Sequence, residues 1–510
     1  MPSARPIGHL LPDALLARFS EFLAARVGLS FPRERWGDLE RALGVAAKEL
    51  GFEDAESCMQ SLLSSPLTTS QVEILASHLT VGETYFFREK AIFSALQEHI
   101  LPGLIRSRRE TERRIRIWSA CCSTGEEPYS IAIVLTKMLQ DLKDWNITLL
   151  ASDINPRFLH KASLGIYDNW SFRDTPPRLK ETYFTRTKQG RFEIAPHLKA
   201  LVTYGYLNLA DDVYPSVESN TNAMDIVFCR NVLMYFQPEH AKAVIEKLCR
   251  SLVEGGWLIV SPVEASLVTL PELAPVRLPD AILYRKDTNA AREKRMTKEI
   301  PGWAVDQARI LYEQPAGIDA EKALQSGNWG VLSQEGEAQR PPTREQAFQE
   351  ASIYYAQGRY SEAAETAQAL LSQDSNNVET MVLLTRACAN QGRLADAMSW
   401  CNRAIAADKL NPGWPYLLAS ILQERGQIEE AVAALKRTLY LEQNYVLAHF
   451  ALGNLMQRQG RHRESLRHFR NALSILGEYR QDQVLPESEG ITAGRLIEII
   501  RSTMASEISA

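Results

Sequence analysis

The sequence predicts a chain of three folded regions: an all-α amino-terminal region, an α/β region with a mostly parallel sheet, and an all-α repeat region. Three observations support this division. Apolar residues recur at helical spacing up to about residue 88, short apolar runs alternate with helices over 89–287, and a 34-residue period starts at 343. Several domains are expected in 510 residues, because single cores stop growing near ~250–300 residues.

The composition is that of a globular protein, with 45% hydrophobic and 23% charged residues. Lys and Arg total 57 against 62 Asp and Glu, so the chain lacks the strongly basic character of nucleic-acid-binding domains. No apolar run approaches the ~20 residues that cross a bilayer, and the first residues lack the layout of a signal peptide. We therefore expect a cytoplasmic protein with no nucleic-acid partner and no direct membrane insertion.

The cysteines give no sign of a metal centre or a disulfide framework. There are seven of them, an odd number, and none is spaced from another as metal ligands are. We expect reduced and mostly buried thiols, and no metal site.

Residues 1–88 are predicted to form a helical amino-terminal domain. The predicted helices share a helical spacing of apolar residues and cover 14–27, 39–50 and 71–79. Prolines stand at the expected boundaries, at Pro12, Pro32 and Pro66.

The region 89–287 alternates predicted strands and helices, which favours a mostly parallel sheet covered on both faces. The predicted strands are short apolar runs at 115–120, 147–153, 224–230, 255–262 and 282–286. A helix with Pro128 in its first turn follows the first strand, at a place where the missing N–H costs little. The stretch 167–207 breaks the alternation, and we expect short antiparallel strands there, in a small inserted β-subdomain.

The carboxyl-terminal region repeats every 34 residues, which is typical of tetratricopeptide repeats. The turns "QGRY", "QGRL", "RGQI" and "QGRH" place glycines at equal intervals, at Gly358, Gly392, Gly426 and Gly460. We expect repeats over 343–479, then a tail at 480–510 with a capping helix, since each repeat buries its faces only against neighbours. Such an array offers a groove to an unidentified protein or peptide.

A polar linker is predicted at 288–342, between the α/β region and the repeats. The sequence leaves open whether this linker holds the two regions apart or lets them dock.

A tight turn after the first strand is the main candidate for ligand binding. "WSACCSTGEEPYS" (118–130) joins a strand to a helix through Gly125, with Glu126 and Glu127 at the helix start. Ligands of doubly wound sheets lie outside the carboxyl ends of strands. One glycine does not make a phosphate cradle, and two carboxylates favour a cationic ligand instead. Capping or dipole partnership of the two glutamates is the open alternative.

Polar side chains also follow the next two strands. Asp153 ends the second strand, where an acidic residue commonly accepts hydrogen bonds from a ribose; capping of the next helix is the alternative. Arg230, Asn231 and Tyr235 follow the third strand. Buried polar side chains need partners, so a purely structural role for them stays equally open.

A further candidate segment joins the helical region to the sheet. Thr84 and Arg88 lie four residues apart, on one face if this segment is helical. The guanidinium of Arg88 is suited to pair with a ligand carboxylate, although a solvated or structural charge is the more common role.

Together these segments resemble one family. "WSACCSTGEEPYSIAI" (118–133), "ASDIN" (151–155), "NLA" (208–210) and "VFCRNVLMYF" (227–236) are similar to the motifs of CheR-type chemotaxis receptor methyltransferases. The resemblance covers about residues 12–287. It implies S-adenosyl-L-methionine-dependent methylation of receptor glutamates to γ-glutamyl methyl esters. It also implies a Rossmann-like methyltransferase domain at 89–287 with the inserted β-subdomain at 167–207.

The resemblance assigns cofactor roles to the first group of residues. Thr84 and Arg88 match the segment that contacts the methionine end of S-adenosylmethionine. Glu127, with Glu126 beside it, matches the acidic turn near the amino group. Asp153 matches the carboxylate that binds the ribose.

The second group matches the adenine and methyl ends. Asn208 and Leu209 match the pair that flanks the adenine, and Arg230 with Asn231 matches the strand-tip pair. Tyr235 matches the tyrosine that faces the transferred methyl. By this resemblance, Arg88 and Tyr235 are the candidate catalytic residues. A glutamate with a pKa of about 4.3 is already ionised at pH 7, so the enzyme mainly aligns the reactants.

The chain departs from the family pattern at two places that bear on recognition. Gly82 stands where the family often has Asn. The substrate helix of the family is usually basic, whereas residues 33–50 carry four basic and four acidic side chains here, for a net charge of zero (4 − 4). The β-subdomain loop "TRTKQGRFEIAP" (185–196) also looks shorter than in family members that bind a carboxyl-terminal tether peptide of the receptor. We therefore expect the cytoplasmic helices of a chemoreceptor to bind without a tether peptide, with the repeats as a second contact.

Two other functions stay open at this point. The chain could be an inactive or cofactor-sensing methyltransferase fold that serves as a tetratricopeptide scaffold. It could also methylate a small carboxylic acid instead of a protein.

Overall fold

The computed structural model describes residues 11–65, 67–216, 219–288, 343–481, 483–486 and 491–508. The predicted linker, beyond its first residue, and the first ten residues of the chain lie outside these ranges. The three-part fold is confirmed: amino-terminal helices, a seven-stranded and mostly parallel sheet with helices, and a helical repeat array. In the described ranges no helix combines the length and apolarity that crossing a bilayer requires. The limits of the domains stay predictions.

Among its described residues, the amino-terminal domain has four α-helices: α1 (Asp13–Arg26), α2 (Trp36–Glu49), α3 (Ala55–Ser64) and α4 (Thr69–Leu79). The helix α3 was not predicted, although Asp54 caps it by accepting a hydrogen bond from the N–H of Ser57. A capping box of Thr68 and Gln71 starts α4. These helices enclose a core of their own, against which Tyr235 of the sheet domain also packs.

The sheet domain alternates helices and strands from residue 90 to residue 286. Its helices are α5 (Lys90–Ala95), which continues through a π-helical turn into α6 (Leu101–Arg108), then α7 (Glu126–Met138), α8 (Pro156–Leu164), α9 (Pro177–Tyr183), α10 (Pro196–Lys199) and α11 (Pro238–Ser251). Its strands are β1 (Arg114–Ser119), β2 (Asn146–Asp153), β3 (Ile166–Tyr167), β4 (Phe184–Arg186), β5 (Phe192–Ile194), β6 (Val202–Tyr206), β7 (Met224–Phe228), β8 (Leu252–Ile259), β9 (Leu273–Leu278) and β10 (Ala281–Lys286).

The main sheet has the order β6-β2-β1-β7-β8-β10-β9. The first five strands are parallel, and β10 runs antiparallel to both of its neighbours. Every residue of β1 and β7 is buried, because helices cover both faces. The chain changes direction across the sheet between β1 and β7, which opens a crevice at their carboxyl ends.

The inserted sheet is smaller than the sequence suggested. The short strands β3, β5 and β4 form it, all antiparallel. The strand β6, which we expected in this insertion, instead pairs in parallel with β2, with Val202 opposite Leu149. The edge strand β9 was not predicted, because it contains Pro275 and only one of its six residues, Leu273, is buried.

The repeat array consists of eight helices in pairs: α12 (Arg344–Ala356), α13 (Tyr360–Gln373), α14 (Val378–Asn390), α15 (Leu394–Ala407), α16 (Gly413–Glu424), α17 (Ile428–Leu441), α18 (Val446–Arg458) and α19 (His462–Leu476). The turn of each pair holds one of the periodic glycines at a φ of +72° to +75°, which a residue with a Cβ adopts only with strain. A last helix, α20 (Ala493–Ile508), buries Leu496 and Ile500 against the end of the array.

Candidate functional site

A cleft lies at the carboxyl ends of β6, β2, β1 and β7 and encloses about 1070 Å³ of empty space, part of it open to solvent. Val27, Leu29 and Phe31 of the amino-terminal domain form the opposite wall. The N–H of Ser30 donates to the carbonyl of Tyr235 at 2.7 Å, which joins the two domains at the cleft.

The cleft brings together nine of the ten residues singled out from the sequence. These lining residues are Thr84, Arg88, Glu127, Asp153, Asn208, Leu209, Arg230, Asn231 and Tyr235. They come from segments up to 150 positions apart, because the carboxyl ends of neighbouring parallel strands meet at one edge of the sheet.

Glu126 is the predicted residue that does not line the cleft. Its side chain is buried, and its two carboxylate oxygens accept hydrogen bonds from Thr124 Oγ1 at 2.6 Å and Ser171 Oγ at 2.9 Å. Burial raises its pKa. The structure therefore places Glu126 apart from the other nine predicted residues, where its hydrogen bonds join the start of α7 to the residues that lead into α9.

Glu127 points into the cleft and is held from two sides. Its Oε1 accepts from Ser119 Oγ at 2.7 Å, and its Oε2 accepts from Arg230 Nη1 at 2.8 Å. Arg230 also approaches Glu89 at 3.0 Å and donates to the carbonyl of Arg88 at 2.7 Å. One guanidinium thus stands between two carboxylates, so the cluster carries net negative charge beside the cleft.

Asp153 lines the cleft at the end of β2 and is buried. Its Oδ1 accepts from the N–H of Asn155 at 2.9 Å and its Oδ2 from the N–H of Ser123 at 2.8 Å. Burial, opposed by these backbone hydrogen bonds, raises the pKa of Asp153 to about 6. The alternative role as a helix cap belongs to Asn155, whose side chain accepts from the first N–H groups of α8.

Two glycines shape the cleft because neighbouring side chains occupy the space that a Cβ would need at their positions. Gly125 has a φ of +93°, and a Cβ there would lie 2.8 Å from Ala162 Cβ and from Tyr167 Oη. The turn before Glu127 therefore requires glycine. A Cβ on Gly82 would lie 2.6 Å from the ring of Phe158, which itself lines the cleft. In this chain the ring of Phe158 occupies the space that a side chain at position 82 would need.

Asn208 and Leu209 follow β6 at the far end of the cleft. Asn208 Nδ2 donates to the carbonyl of Arg26 at 3.2 Å, and its side-chain oxygen accepts from the N–H of Ala210 at 3.0 Å. Leu209 is buried. This end of the cleft is therefore walled by apolar and amide groups, which suits a flat, uncharged ring.

Arg88 lies on a loop whose backbone is strained. Phe87 and Glu89 on either side of it have a φ of +57° and +62°, values that residues with a Cβ rarely adopt and that cluster at functional sites. Arg88 Nη1 donates to the carbonyl of Glu83 at 2.6 Å, and the guanidinium lies over the ring of Tyr85.

The sequence missed Arg35, which lines the cleft from the amino-terminal domain. Its guanidinium carbon lies 5.7 Å from the ring centroid of Tyr235 and 5.2 Å from that of Phe31. Its acidic neighbour Asp38 is 3.7 Å away, a loose ion pair. No pattern in the sequence links Arg35 to Tyr235, because the two meet only when the domains pack.

The cleft also contains a thiol, Cys121. Burial, together with the negative charge of Asp153, raises its pKa well above the ordinary value. The thiol is therefore neutral, and only a thiolate is a strong nucleophile. Cys121 does not compete with a carboxylate for an electrophilic ligand.

The donor set fits a cationic cofactor that contains a ribose. Glu127 and Asp153 line the cleft with their carboxylates. The turn that precedes Glu127 contains one glycine, Gly125, and so lacks the row of glycine N–H groups that binds phosphates. Leu29, Phe158 and Leu209 supply apolar wall. Within the ranges that the structure covers, no group of three or more His, Cys, Asp and Glu is placed to hold a metal ion.

Three family models match the chain. The model described as "CheR methyltransferase, SAM binding domain" matches residues 82–271. The models described as "Tetratricopeptide repeat" and "TPR repeat" match residues 348–412 and 419–460.

The chain is also similar to curated proteins. It is 35% identical to "Probable chemotaxis protein methyltransferase" of Rhizobium etli, over 39% of this chain and 73% of that protein. It is 30% identical to "Probable biofilm formation methyltransferase WspC" of Pseudomonas aeruginosa, over 61% of this chain and 72% of that protein. It is 29% identical to "Chemotaxis protein methyltransferase 2" of Vibrio cholerae, over 50% and 87%.

Proposed function

Because this chain belongs to the family of CheR methyltransferases, we propose that it methylates glutamate side chains of methyl-accepting receptor proteins to γ-glutamyl methyl esters. The coarser statement needs no proposal: the chain is a CheR-type methyltransferase that uses S-adenosylmethionine and carries tetratricopeptide repeats. The open points are the acceptor, the roles of single residues and the cellular setting.

The observation that carries the proposal is a pair of carboxylates that line one cleft: Glu127 in the first turn of the helix after β1, and Asp153 at the end of the adjacent strand β2. When bound, S-adenosylmethionine supplies a methyl group on a positively charged sulfur. Glu127, fixed by Ser119 and Arg230, would accept from the amino group of the cofactor. Asp153, fixed by two backbone N–H groups, would accept from the ribose hydroxyls. Both carboxylates are oriented before any ligand arrives.

The other end of the cleft supports a carboxylate as acceptor. Tyr235 and Arg35 lie together there, and each can donate to an acceptor oxygen. The chain's own groups would thus hold the attacking oxygen in line while the walls exclude water. The work is alignment, since an ionised glutamate needs no base. We assign Tyr235 and Arg88 to catalysis at this end. We assign to the cofactor Arg88 as well, together with Thr84, Asn208, Leu209, Arg230 and Asn231.

The setting follows from the relatives. Their names refer to chemotaxis and to biofilm formation. We propose that the chain acts in the cytoplasm on the cytoplasmic helices of a chemoreceptor and adapts a chemosensory pathway. The charge balance of α2, which carries no excess of basic side chains, supports recognition that does not depend on charge alone.

The test is methylation of candidate receptors in the presence of radiolabelled S-adenosylmethionine. We expect label on the receptor as an ester that alkali releases, and mass spectrometry should place it on glutamate. Asp153→Asn serves as the inactive control. Label that appears only on small carboxylic acids would overturn the proposal. A receptor shortened by its carboxyl-terminal tether should be methylated at an unchanged rate.

A further inference from the structure

The repeat array and the sheet domain meet at a polar, buried interface. The side chain of Glu424, at the end of α16, is almost fully buried. Its Oε1 accepts from Asn222 Nδ2 at 2.8 Å, and its Oε2 lies 3.5 Å from Arg114 Nη1 and 4.0 Å from Arg116 Nη1. The carbonyl of Glu424 accepts from Asn146 Nδ2 at 2.8 Å. Four side chains of the sheet domain thus converge on one residue of the repeats.

We propose that this is a built docking site, so that the repeat array is a fixed part of the methyltransferase and not an arm on a tether. A carboxylate buried beside two guanidinium groups is stable only while both partners stay in place. If the modules moved independently, Asn222 Nδ2 and Arg114 Nη1 would lose the carboxylate that Glu424 supplies, whereas Arg116 Nη2 would keep its hydrogen bonds to Asn220 and to the carbonyl of Asn222.

The glycines of the repeat turns support the same inference. A Cβ on Gly358 would lie 2.2 Å from Arg250 Cδ, and one on Gly392 would lie 3.0 Å from Arg114 Nη2. A Cβ on Gly426 would lie 3.2 Å from Asn146 Nδ2. The turn of Gly460 has the same backbone conformation, but no atom lies within 4 Å of a Cβ built there. Three of the four turns therefore lie against the sheet domain at their glycine, whereas no atom of the described residues lies close to a Cβ at Gly460.

The docking site lies at the end of the sheet opposite to the cleft. Arg114 and Asn146 are the first residues of β1 and β2, and Asn222 lies two residues before β7, whereas the cleft is at the carboxyl ends of these strands. The docked turns therefore cannot touch a receptor helix in the cleft. A partner of the array must bind surfaces other than these three turns, and it is then carried at a fixed position relative to the active site.

The test uses the full chain with a protease site inserted within 289–342. After cutting, we expect the two pieces to elute together in gel filtration at low salt. Glu424→Arg places a third cation beside Arg114 and Arg116, and should release the array. Gly358→Asn should weaken the association at least tenfold, because its Cβ collides with Arg250. Gly460→Asn introduces the same residue at the same φ without a neighbour, and should leave the association unchanged.

Thermal unfolding of the uncut chain gives a second readout for variants that fold poorly. Gly358→Asn should lower the unfolding temperature more than Gly460→Asn does. The proposal is overturned if the wild-type pieces separate once the chain is cut, or if the two glycine variants have equal effects in both measurements.

Discussion

The carboxylate of Glu127 and the guanidinium of Arg230 meet at 2.8 Å although 103 positions separate them in the chain. Glu127 starts the helix after β1, and Arg230 follows β7, so the contact spans the crevice where the sheet reverses direction. Ser119 holds the other oxygen of Glu127. The ligand-facing carboxylate is therefore fixed by both strands that flank the crevice.

Glu127→Gln should weaken the binding of S-adenosylmethionine by about 1–3 kcal/mol, or about 5- to 150-fold, because a charged acceptor is lost and Arg230 loses a partner. Isothermal titration measures this. Glu126→Gln is the matched control, because Glu126 is the neighbouring residue and its side chain is buried outside the cleft. This substitution should lower the unfolding temperature and leave cofactor affinity unchanged. Equal losses of affinity in both variants would contradict the proposal that Glu127, and not Glu126, binds the cofactor.

Cofactor affinity should depend on pH through Asp153. Its pKa is raised to about 6 by burial, so the free protein holds this group protonated below that pH. Only the carboxylate accepts two ribose hydroxyls, so protonation competes with binding. We expect the Kd to be flat above about pH 7 and to rise about tenfold per pH unit below about pH 6.

Asp153→Asn should bind the cofactor weakly at every pH and lose this inflection, because an amide does not titrate. Titrations between about pH 5 and about pH 7 decide this. An inflection that persists in the variant would assign the pH dependence to another group.

Nine of the residues singled out from the sequence line one cleft, and this convergence has a physical reason. Apolar runs identify buried strands, and the polar residues that end them must meet at one sheet edge. The same reasoning could not separate Glu126 from Glu127, because adjacent residues at a helix start point in different directions and the sequence does not show which one faces the cleft.

The contacts between domains could not be predicted from the sequence. Arg35 looked like one of four balanced basic charges, and Glu424 like a solvated residue at a helix end. Each acquires its role only from a partner more than 100 positions away, Tyr235 for the first and Asn222 for the second. The prediction placed β6 in the wrong sheet for a similar reason, since the residues of β6 do not indicate that it pairs with β2.

Arg35→Ala should impair use of the protein substrate and spare the cofactor. If the guanidinium beside Tyr235 holds the acceptor carboxylate, its loss removes a charge-assisted hydrogen bond worth about 1.5–3 kcal/mol. We expect kcat/KM for the methylation of a receptor to fall about 10- to 150-fold, with an unchanged Kd for S-adenosylmethionine. Arg33→Ala is the control, since Arg33 is exposed and pairs with Asp13 outside the cleft. A matching loss of cofactor affinity in Arg35→Ala would instead assign Arg35 to the cofactor.

Glu264 should set the position of the loop that carries Asn231 and Tyr235. It is fully buried, and its oxygens accept from the N–H groups of Asn231 at 2.7 Å, Val232 at 2.6 Å and Leu233 at 2.7 Å. Asn231 has a φ of +58°, a strained conformation that these hydrogen bonds maintain.

Both carboxylate oxygens of Glu264 accept hydrogen bonds from backbone N–H groups. Glu264→Gln replaces one of these oxygens with an NH₂ group, which cannot accept, and this should destabilise the fold by about 1–3 kcal/mol. Hydrogen exchange at residues 231–233 should accelerate more than exchange in β1, and kcat should fall together with cofactor affinity. Glu246→Gln, on the exposed face of α11, is the matched control. If exchange in the loop stays slow while activity falls, Glu264 does not act by holding the backbone of this loop.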